Sequence, residues 1–185
     1  MSALIVSPCR PVVLDLCCGL GGWSRGFAQA GWSCVGLDVM DYADGFPGEF
    51  IQADVLRWQG WRTRDISAVI ASPPCEQFSR HSMPWLRRFN PPSPFLALAN
   101  HCRYVGLSLG VPWMVENVRG AQAFLGRSDG SAGPYHFWGN VPLLLPCGPW
   151  KSKSRNYDGK SAARRALIPL ELSVWVGRVW KVGLE

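Results

Sequence analysis

Asp15, Asp38, Asp54, Cys75 and Glu116 each stand where a short apolar run stops. The run VVLDL passes into Cys17 and a group of glycines, CVGL stops at Asp38, and residues 51–55 make a third short run around Asp54. Residues 67–71 are broken by Pro73 and Pro74, and residues 113–115 lead into Glu116. Between these runs lie stretches with helical spacing. One covers 23–30 and is stopped by Gly31; another covers 94–109 with a proline near its start. Strands alternating with helices build a largely parallel sheet, and such sheets bind ligands at the carboxyl ends of their strands. Five chemistry-bearing residues at five strand ends therefore predict one shared site. Residues 135–138 read as a further strand. Residues 169–180 read as a terminal helix with Pro169 in its first turn, and 126–133, rich in glycine and serine, as an exposed loop.

Composition narrows the class. The 185 residues fit one domain, and 48% hydrophobic with 17% charged residues suits a packed core rather than a disordered chain. No apolar run approaches the roughly 18 residues of a membrane span. The N-terminus lacks a basic start before its apolar stretch, so no signal peptide is expected. Seven cysteines without a CxxC pair speak against a disulfide framework or zinc site and for a reducing cytoplasm; no metal is expected. The net charge is +6, and 15 of the 19 basic residues are arginine, which suits phosphates and base edges. Residues 151–185 hold five of the six net charges. That favours a polyanionic partner, against the alternative of a merely basic surface.

In DLCCGLGG, Gly19, Gly21 and Gly22 allow close backbone approach and positive φ, ahead of a helix start with unpaired N–H groups. Asp38, 19 residues after Gly19, can accept from both hydroxyls of a ribose, and Asp54 from an adenine amino group. Each could instead cap a turn; together they point to a nucleoside cofactor. Cys75, in ASPPCEQFS, sits on a tight Pro-Pro turn, and Glu116 follows 41 positions later in VENV. The bland alternatives are a strand-end cap for Glu116 and, for Cys75, a buried structural thiol, the role expected of Cys9, Cys34 and Cys102. SRHSMPWLRRFNPPSP sets Arg80, His81, Arg87 and Arg88 among Trp85 and Phe89, a mixture suited to phosphates and unstacked bases. It reads as a flap, with an ordinary surface loop as the alternative. KSKSRNYDGKSAARR is either a second phosphate-contacting surface or a solvated tail. Among ten tryptophans, Trp23, Trp58, Trp61, Trp113, Trp175 and Trp180 are expected to pack, while Trp138 and Trp150 stay open.

DLCCGLGGWSRGF resembles the first block of cytosine C5 DNA methyltransferases. ASPPCEQFS resembles their catalytic Pro-Cys block and VENV their Glu-Asn-Val block, in the same order and with matching separations. RRALIPLELS, ENVRGAQAFLG and YHFWGN resemble segments of compact, phage-type members, so the likeness covers nearly all of the chain. The resemblance implies an α/β, Rossmann-like S-adenosylmethionine-dependent methyltransferase fold, a mostly parallel sheet flanked by helices, as one catalytic domain over 1–185. The implied activity is methyl transfer from S-adenosylmethionine to C5 of cytosine in DNA, through a covalent Cys75–C6 adduct, leaving S-adenosylhomocysteine. Cys75 would be the nucleophile, Glu116 would contact N3 and the exocyclic amine, Asn117 would buttress the turn, and Pro74 would shape the loop. Asp15, Cys17, Gly19, Gly21, Asp38, Val39, Asp54 and Val55 would line the cofactor site. Ser79, Arg80, Arg87, Arg88, Arg155, Arg164 and Arg165 would face the substrate. The implied partner is duplex DNA with a flipped cytosine, in the cytoplasm of a bacterium or phage-infected host, where protection from restriction is a fitting role.

The chain also departs from that pattern. Glu76 stands where the family has glutamine, with Gln77 following. Tyr135-His136-Phe137 is the nearest equivalent of the family's Arg-x-Arg strand and carries no arginine; Arg155, Arg164 or Arg165 are the candidates to replace it. The large target-recognition region is absent or minimal, so recognition is slight or comes from a loop or partner protein. Two alternatives follow: the same chemistry on RNA, single-stranded DNA or a free nucleotide, and a non-catalytic nucleic-acid-binding protein that retains the fold.

Overall fold

A computed structural model of the chain describes residues 10–82, 93–148 and 167–184, apart from the side chains of 80–82. Strand β1 (Val12–Leu16) leads through the glycine turn into helix α1 (Gly22–Gln29). Strands β2 (Ser33–Asp38) and β3 (Glu49–Gln52) follow. A 3-10 turn at Gly60–Thr63 precedes β4 (Ala68–Ala71), and α2 (Glu76–Ser82) starts directly after Cys75. Helix α3 (Ala97–Leu109) returns the chain to β5 (Trp113–Asn117). Helix α4 (Gln122–Leu125), strands β6 (Gly130–Ala132) and β7 (Tyr135–Gly139), and helix α5 (Leu170–Val182) complete the order.

The strands lie in the order β3-β2-β1-β4-β5-β7-β6. The first five in that order are parallel; β7 runs antiparallel to β5 on one side and to β6 on the other. This is the Rossmann-like methyltransferase arrangement the motifs imply. Its order reverses between β1 and β4, so the loops leaving those two strands diverge and open a crevice.

Alternate residues of each strand face opposite sides of the sheet. Val13, Ile70 and Met114 pack with Phe27 of α1 and with Leu172 and Val176 of α5. Leu14, Leu16, Val69 and Val115 pack on the other side with Cys102 and Val105 of α3. Burial on both faces explains why VVLDL and AVIA are almost wholly apolar instead of alternating. Helices α1 and α5 touch backbone to backbone: a Cβ added at Gly26 would land on Ser173 and on the Val174 nitrogen. Just past α1, Trp32 Nε1 donates to the Gly177 carbonyl of α5 at 2.8 Å.

Three expectations shift. The third strand lies at Glu49–Gln52 and not at 51–55, because Asp54 starts a turn. Its carboxylate accepts from Leu56 N–H and its carbonyl from Arg57 and Trp58 N–H, a local alternative to strand pairing. Residues 126–133 are not merely a loop. Gly130–Ala132 pairs with β7 as a hairpin, and Gly133, at φ 57°, takes the left-handed conformation in its turn. Pro169 sits one residue before α5 and not inside its first turn, with ψ at 133°. Of the tryptophans expected to pack, Trp23, Trp61 and Trp180 are buried, Trp58 and Trp113 half-buried, and Trp175 is 40% exposed. Trp138 is buried; Trp150 lies outside the described residues, as does Cys9, while Cys34 and Cys102 are buried as expected.

Gly26→Ala tests the helix contact. Alanine favours a helix over glycine by about 1 kcal/mol, so an isolated α1 would gain. In the folded protein the methyl group has no space, and overpacking of this kind costs about 1–3 kcal/mol. Denaturant unfolding should show a lower midpoint at an unchanged slope.

Candidate active site

The crevice between the β1 and β4 loops is a cavity of about 270 Å³. Cys17, Gly19, Asp38, Val39, Pro74, Cys75 and Glu116 all line it, so residues from four strand ends meet; of the five strand-end residues that the sequence groups, Asp38, Cys75 and Glu116 line the cavity and Asp15 and Asp54 do not. Its remaining wall includes residues without a sequence signal of their own, among them Met40 and Tyr42. Trp23 and Ile168 also line it. Both lie in blocks that carry the resemblance, as does Ser72; Trp23 is expected there only to pack, and Ile168 and Ser72 carry no role of their own.

The glycine turn is built for close approach. Gly19 and Gly21 have φ of 50° and 74°, and Cys17, at 56°, adopts the same left-handed region without being glycine. A Cβ added at Gly19 would meet nothing within 4 Å, so the turn looks out on open space. Gly21 instead packs its backbone near Phe46 and Pro47 and does not line the cavity. Asp38 ties the turn to β2: Oδ2 accepts from Gly19 N–H at 2.9 Å and Oδ1 from Met40 N–H at 3.0 Å.

Asp15 stands behind the turn, fully buried. Its Oδ2 accepts from Ser24 Oγ–H at 2.6 Å and Ser24 N–H at 3.3 Å, while Oδ1 has no partner among the described residues. Burial pushes its carboxyl up to about 7, against the pull of the Ser24 hydrogen bonds. Asp54 and Val55 do not join the cavity. Asp54 is exposed and pairs with Arg57 at 3.6 Å, and Val55 is buried in the core beside α3.

Three cysteines line the cavity, and their surroundings differ. A hydrogen bond with Cys102 and then burial raise the Cys17 thiol well above its usual range. Burial raises Cys18 as well. Both are therefore held as thiols at neutral pH. Cys75 sits half-buried on the loop that enters α2, its carbonyl accepting from Ser79 N–H at 2.9 Å. Pro73 and Pro74 have no N–H to donate, so the loop before Cys75 is held by other groups. Asn117 Nδ2 donates to the Pro73 carbonyl at 2.9 Å, and Asn117 Oδ1 accepts from Val118 N–H, the buttress expected of this residue. Glu116, 3% exposed, comes from β5 opposite Phe137 of β7. His136, opposite Asn117, meets Ser128 Oγ through Nδ1 at 3.1 Å and does not line the cavity. Ser79 is half-buried and also outside the lining. The side chain of Arg80, and Arg87, Arg88, Arg155, Arg164 and Arg165 entirely, lie outside the described residues. Among the described residues no cluster of His, Cys, Asp or Glu could hold a metal ion, and no helix is long and apolar enough to cross a membrane.

The cavity joins the glycine turn, Asp38, Cys75 and Glu116. No protein-family model matches the chain, and no curated protein matches it. Solved structures do. A protein described as a DNA modification methyltransferase encoded within an E. coli prophage is 26% identical, with 60% of this chain covering 33% of that one at a TM-score of 0.45. The DNMT2 of Spodoptera frugiperda is 21% identical, with 61% of this chain covering 37% of it at 0.42. The Entamoeba histolytica methyltransferase EhMeth is 15% identical, with 64% of this chain covering 41% of it at 0.44. This chain thus spans well under half the length of these proteins. At such scores the likeness adds nothing to what the sheet order already shows.

Asp15 makes stability depend on pH. Its folded value of about 7 lies above that of an unfolded aspartate, so between about pH 4 and 7 the folded chain keeps a proton that the unfolded chain has released. Stability from this group therefore falls as pH rises through that window and levels off above it. Asp15→Asn should flatten the fall in melting temperature between pH 5 and 8 and raise the melting temperature at pH 8.

Proposed function

We propose that this chain transfers a methyl group from S-adenosylmethionine to C5 of cytosine in DNA, through a transient bond between Cys75 Sγ and C6. The observation that carries the reading is the convergence of Cys75, Glu116, the glycine turn and Asp38 on one cavity. The residues present fit the cofactor. Each Asp38 oxygen accepts one backbone N–H and keeps a lone pair for a ribose hydroxyl, and the space above Gly19 admits a ligand close to the backbone. When bound, the cofactor supplies an electrophilic methyl group.

The chain's own groups do the rest. Cytosine C5 is a poor nucleophile; addition of the Cys75 thiolate to C6 gives an enamine-like ring in which C5 is reactive. Glu116, sharing a proton with N3, offsets the negative charge that develops on the ring. Once C5 has taken the methyl group, its proton leaves to a base, the S–C6 bond breaks, and the thiolate is expelled. Cys17 and Cys18, held as thiols, do not compete. A base paired within a duplex hides C6, so the nucleotide is flipped into the cavity or presented on a single strand.

Charge supports a nucleic-acid substrate. Among residues 10–82, 93–148 and 167–184, eleven basic residues face eleven acidic ones. Segments 83–92 and 149–166 carry eight basic residues and one acidic. The first is joined to α2, directly behind the nucleophile, and the second to Leu167 and Ile168 in the cavity wall. Sequence recognition beyond this comes from a loop or a partner protein.

Tritiated S-adenosylmethionine with duplex DNA of mixed sequence tests the reading. Wild type should place label on cytosine C5, Cys75→Ser should place none, and an oligonucleotide containing 5-fluorocytosine should trap wild type covalently. Label on RNA or single strands alone would move the substrate; cofactor binding without transfer to any of them would favour a non-catalytic binding protein. Glu76→Gln puts into the cavity wall beside Cys75 the residue that the resembled block carries there, and should raise transfer by roughly two- to fivefold over wild type.

A further inference from the structure

We propose that Trp23 is a positioning residue: its indole N–H, donated to Ser72 Oγ at 3.0 Å, holds the Cys75 loop in place against the glycine turn. The inference deepens the proposed function and rests on Cys75 being the nucleophile. Ser72 is the first residue past β4, and its own N–H is used by the Leu16 carbonyl at 3.2 Å. Pro73 and Pro74 follow and have no backbone donor. The side chains of neighbouring elements must therefore anchor the loop. Asn117 does so from the β5 side through the Pro73 carbonyl. Trp23 does so from the β1 side, one residue earlier in the loop.

Trp23 is itself rigidly placed. It is 2% exposed and is the second residue of α1, directly after the glycine turn. Its ring meets Phe137 edge-on at 6.2 Å, and Phe137 is the register partner of Glu116. Its carbonyl accepts from Ser173 Oγ–H of α5. Trp23 thus stands on the helix that follows the glycine turn, its ring bonds the Cys75 loop and packs on the β7 partner of Glu116, and it lines the cavity between them. Any shift of α1 on filling the cavity passes through this bond to Ser72, three residues before Cys75.

Four variants test the bond: Trp23→Phe keeps the ring and loses the donor, Ser72→Ala loses the acceptor, Ser72→Thr keeps it, and Trp23→Phe/Ser72→Ala loses both. Three readouts are taken on each: alkylation of Cys75 by iodoacetamide followed at its own peptide, binding of S-adenosylhomocysteine, and methyl transfer to duplex DNA. Trp23→Phe and Ser72→Ala should each speed Cys75 alkylation and lower kcat by roughly 3- to 10-fold, the effect of one neutral hydrogen bond. The double variant should be no worse than either single one, Ser72→Thr should restore slow Cys75 alkylation relative to Ser72→Ala, and S-adenosylhomocysteine affinity should fall less than kcat does. Wild-type alkylation in Ser72→Ala, additive effects in the double variant, or a loss confined to S-adenosylhomocysteine affinity would overturn the proposal. If alkylation responds as expected while wild type itself transfers no methyl group, the positioning role stands and the methyltransferase reading falls.

Discussion

The parallel pairing of β1 with β4 decides where everything else in this protein stands. Leu16 lies opposite Ala71 in that register, so the two chains leave the sheet side by side. After β1 the chain goes outward through β2 and β3, and after β4 it goes the other way to β5. The loops must separate at that point, and the space between them is the cavity. Glu116 comes to the same space from the next strand, because β5 pairs in parallel with β4 and ends at the same edge. A thiol, a carboxylate and a glycine turn that are far apart in the chain thus become neighbours through two strand pairings.

Holding those loops calls for donors that the backbone cannot supply, and tryptophan supplies many of them. An indole buries a large apolar ring and still offers one N–H. Trp23 reaches Ser72, Trp32 the Gly177 carbonyl, Trp138 the Gly126 carbonyl, and Trp180 the Asn140 carbonyl. Even the part-exposed Trp175 donates to Leu144 at 2.7 Å. Each bond joins a regular element to a loop or to a neighbouring helix. The abundance of tryptophan therefore serves connection as well as core volume. Trp61 differs: it is buried, and its Nε1 has no partner among the described residues.

Much of this was readable in the chain before any coordinates. Apolar runs ending in Asp38, Cys75 and Glu116 marked strands whose ends share a site, since burial on both faces of a parallel sheet leaves a plain hydrophobic signature. Asp54 was misread for a physical reason: an aspartate that starts a turn looks, in sequence, like one that ends a strand. The Gly130–Ala132 strand was missed because three small residues carry no alternation and gain their place only by pairing with β7. Tyr42 and Met40 line the cavity only because the chain after Asp38 folds back over the turn, which no local pattern announces. The Trp23–Ser72 bond spans 49 positions and depends on the β1–β4 pairing, which sequence spacing does not announce.

The distribution of charge follows from the same topology. Acids and bases balance within the described residues, and this part contains the cavity walls and Glu116 and Cys75 themselves. A framework of zero net charge does not attract a polyanion over long distances. The excess lies in two segments whose attachment points are set by the sheet: one continues from the helix that Cys75 begins, the other ends at Leu167 and Ile168 against the glycine turn. Gly22 has the Ile168 nitrogen so close that a Cβ there would collide with it, so the second attachment is as tightly placed as the cofactor loop. The described framework is therefore neutral, and the positive excess of the sequence is joined to it at α2, whose Glu76 lines the cavity, and at Leu167, which lines it too.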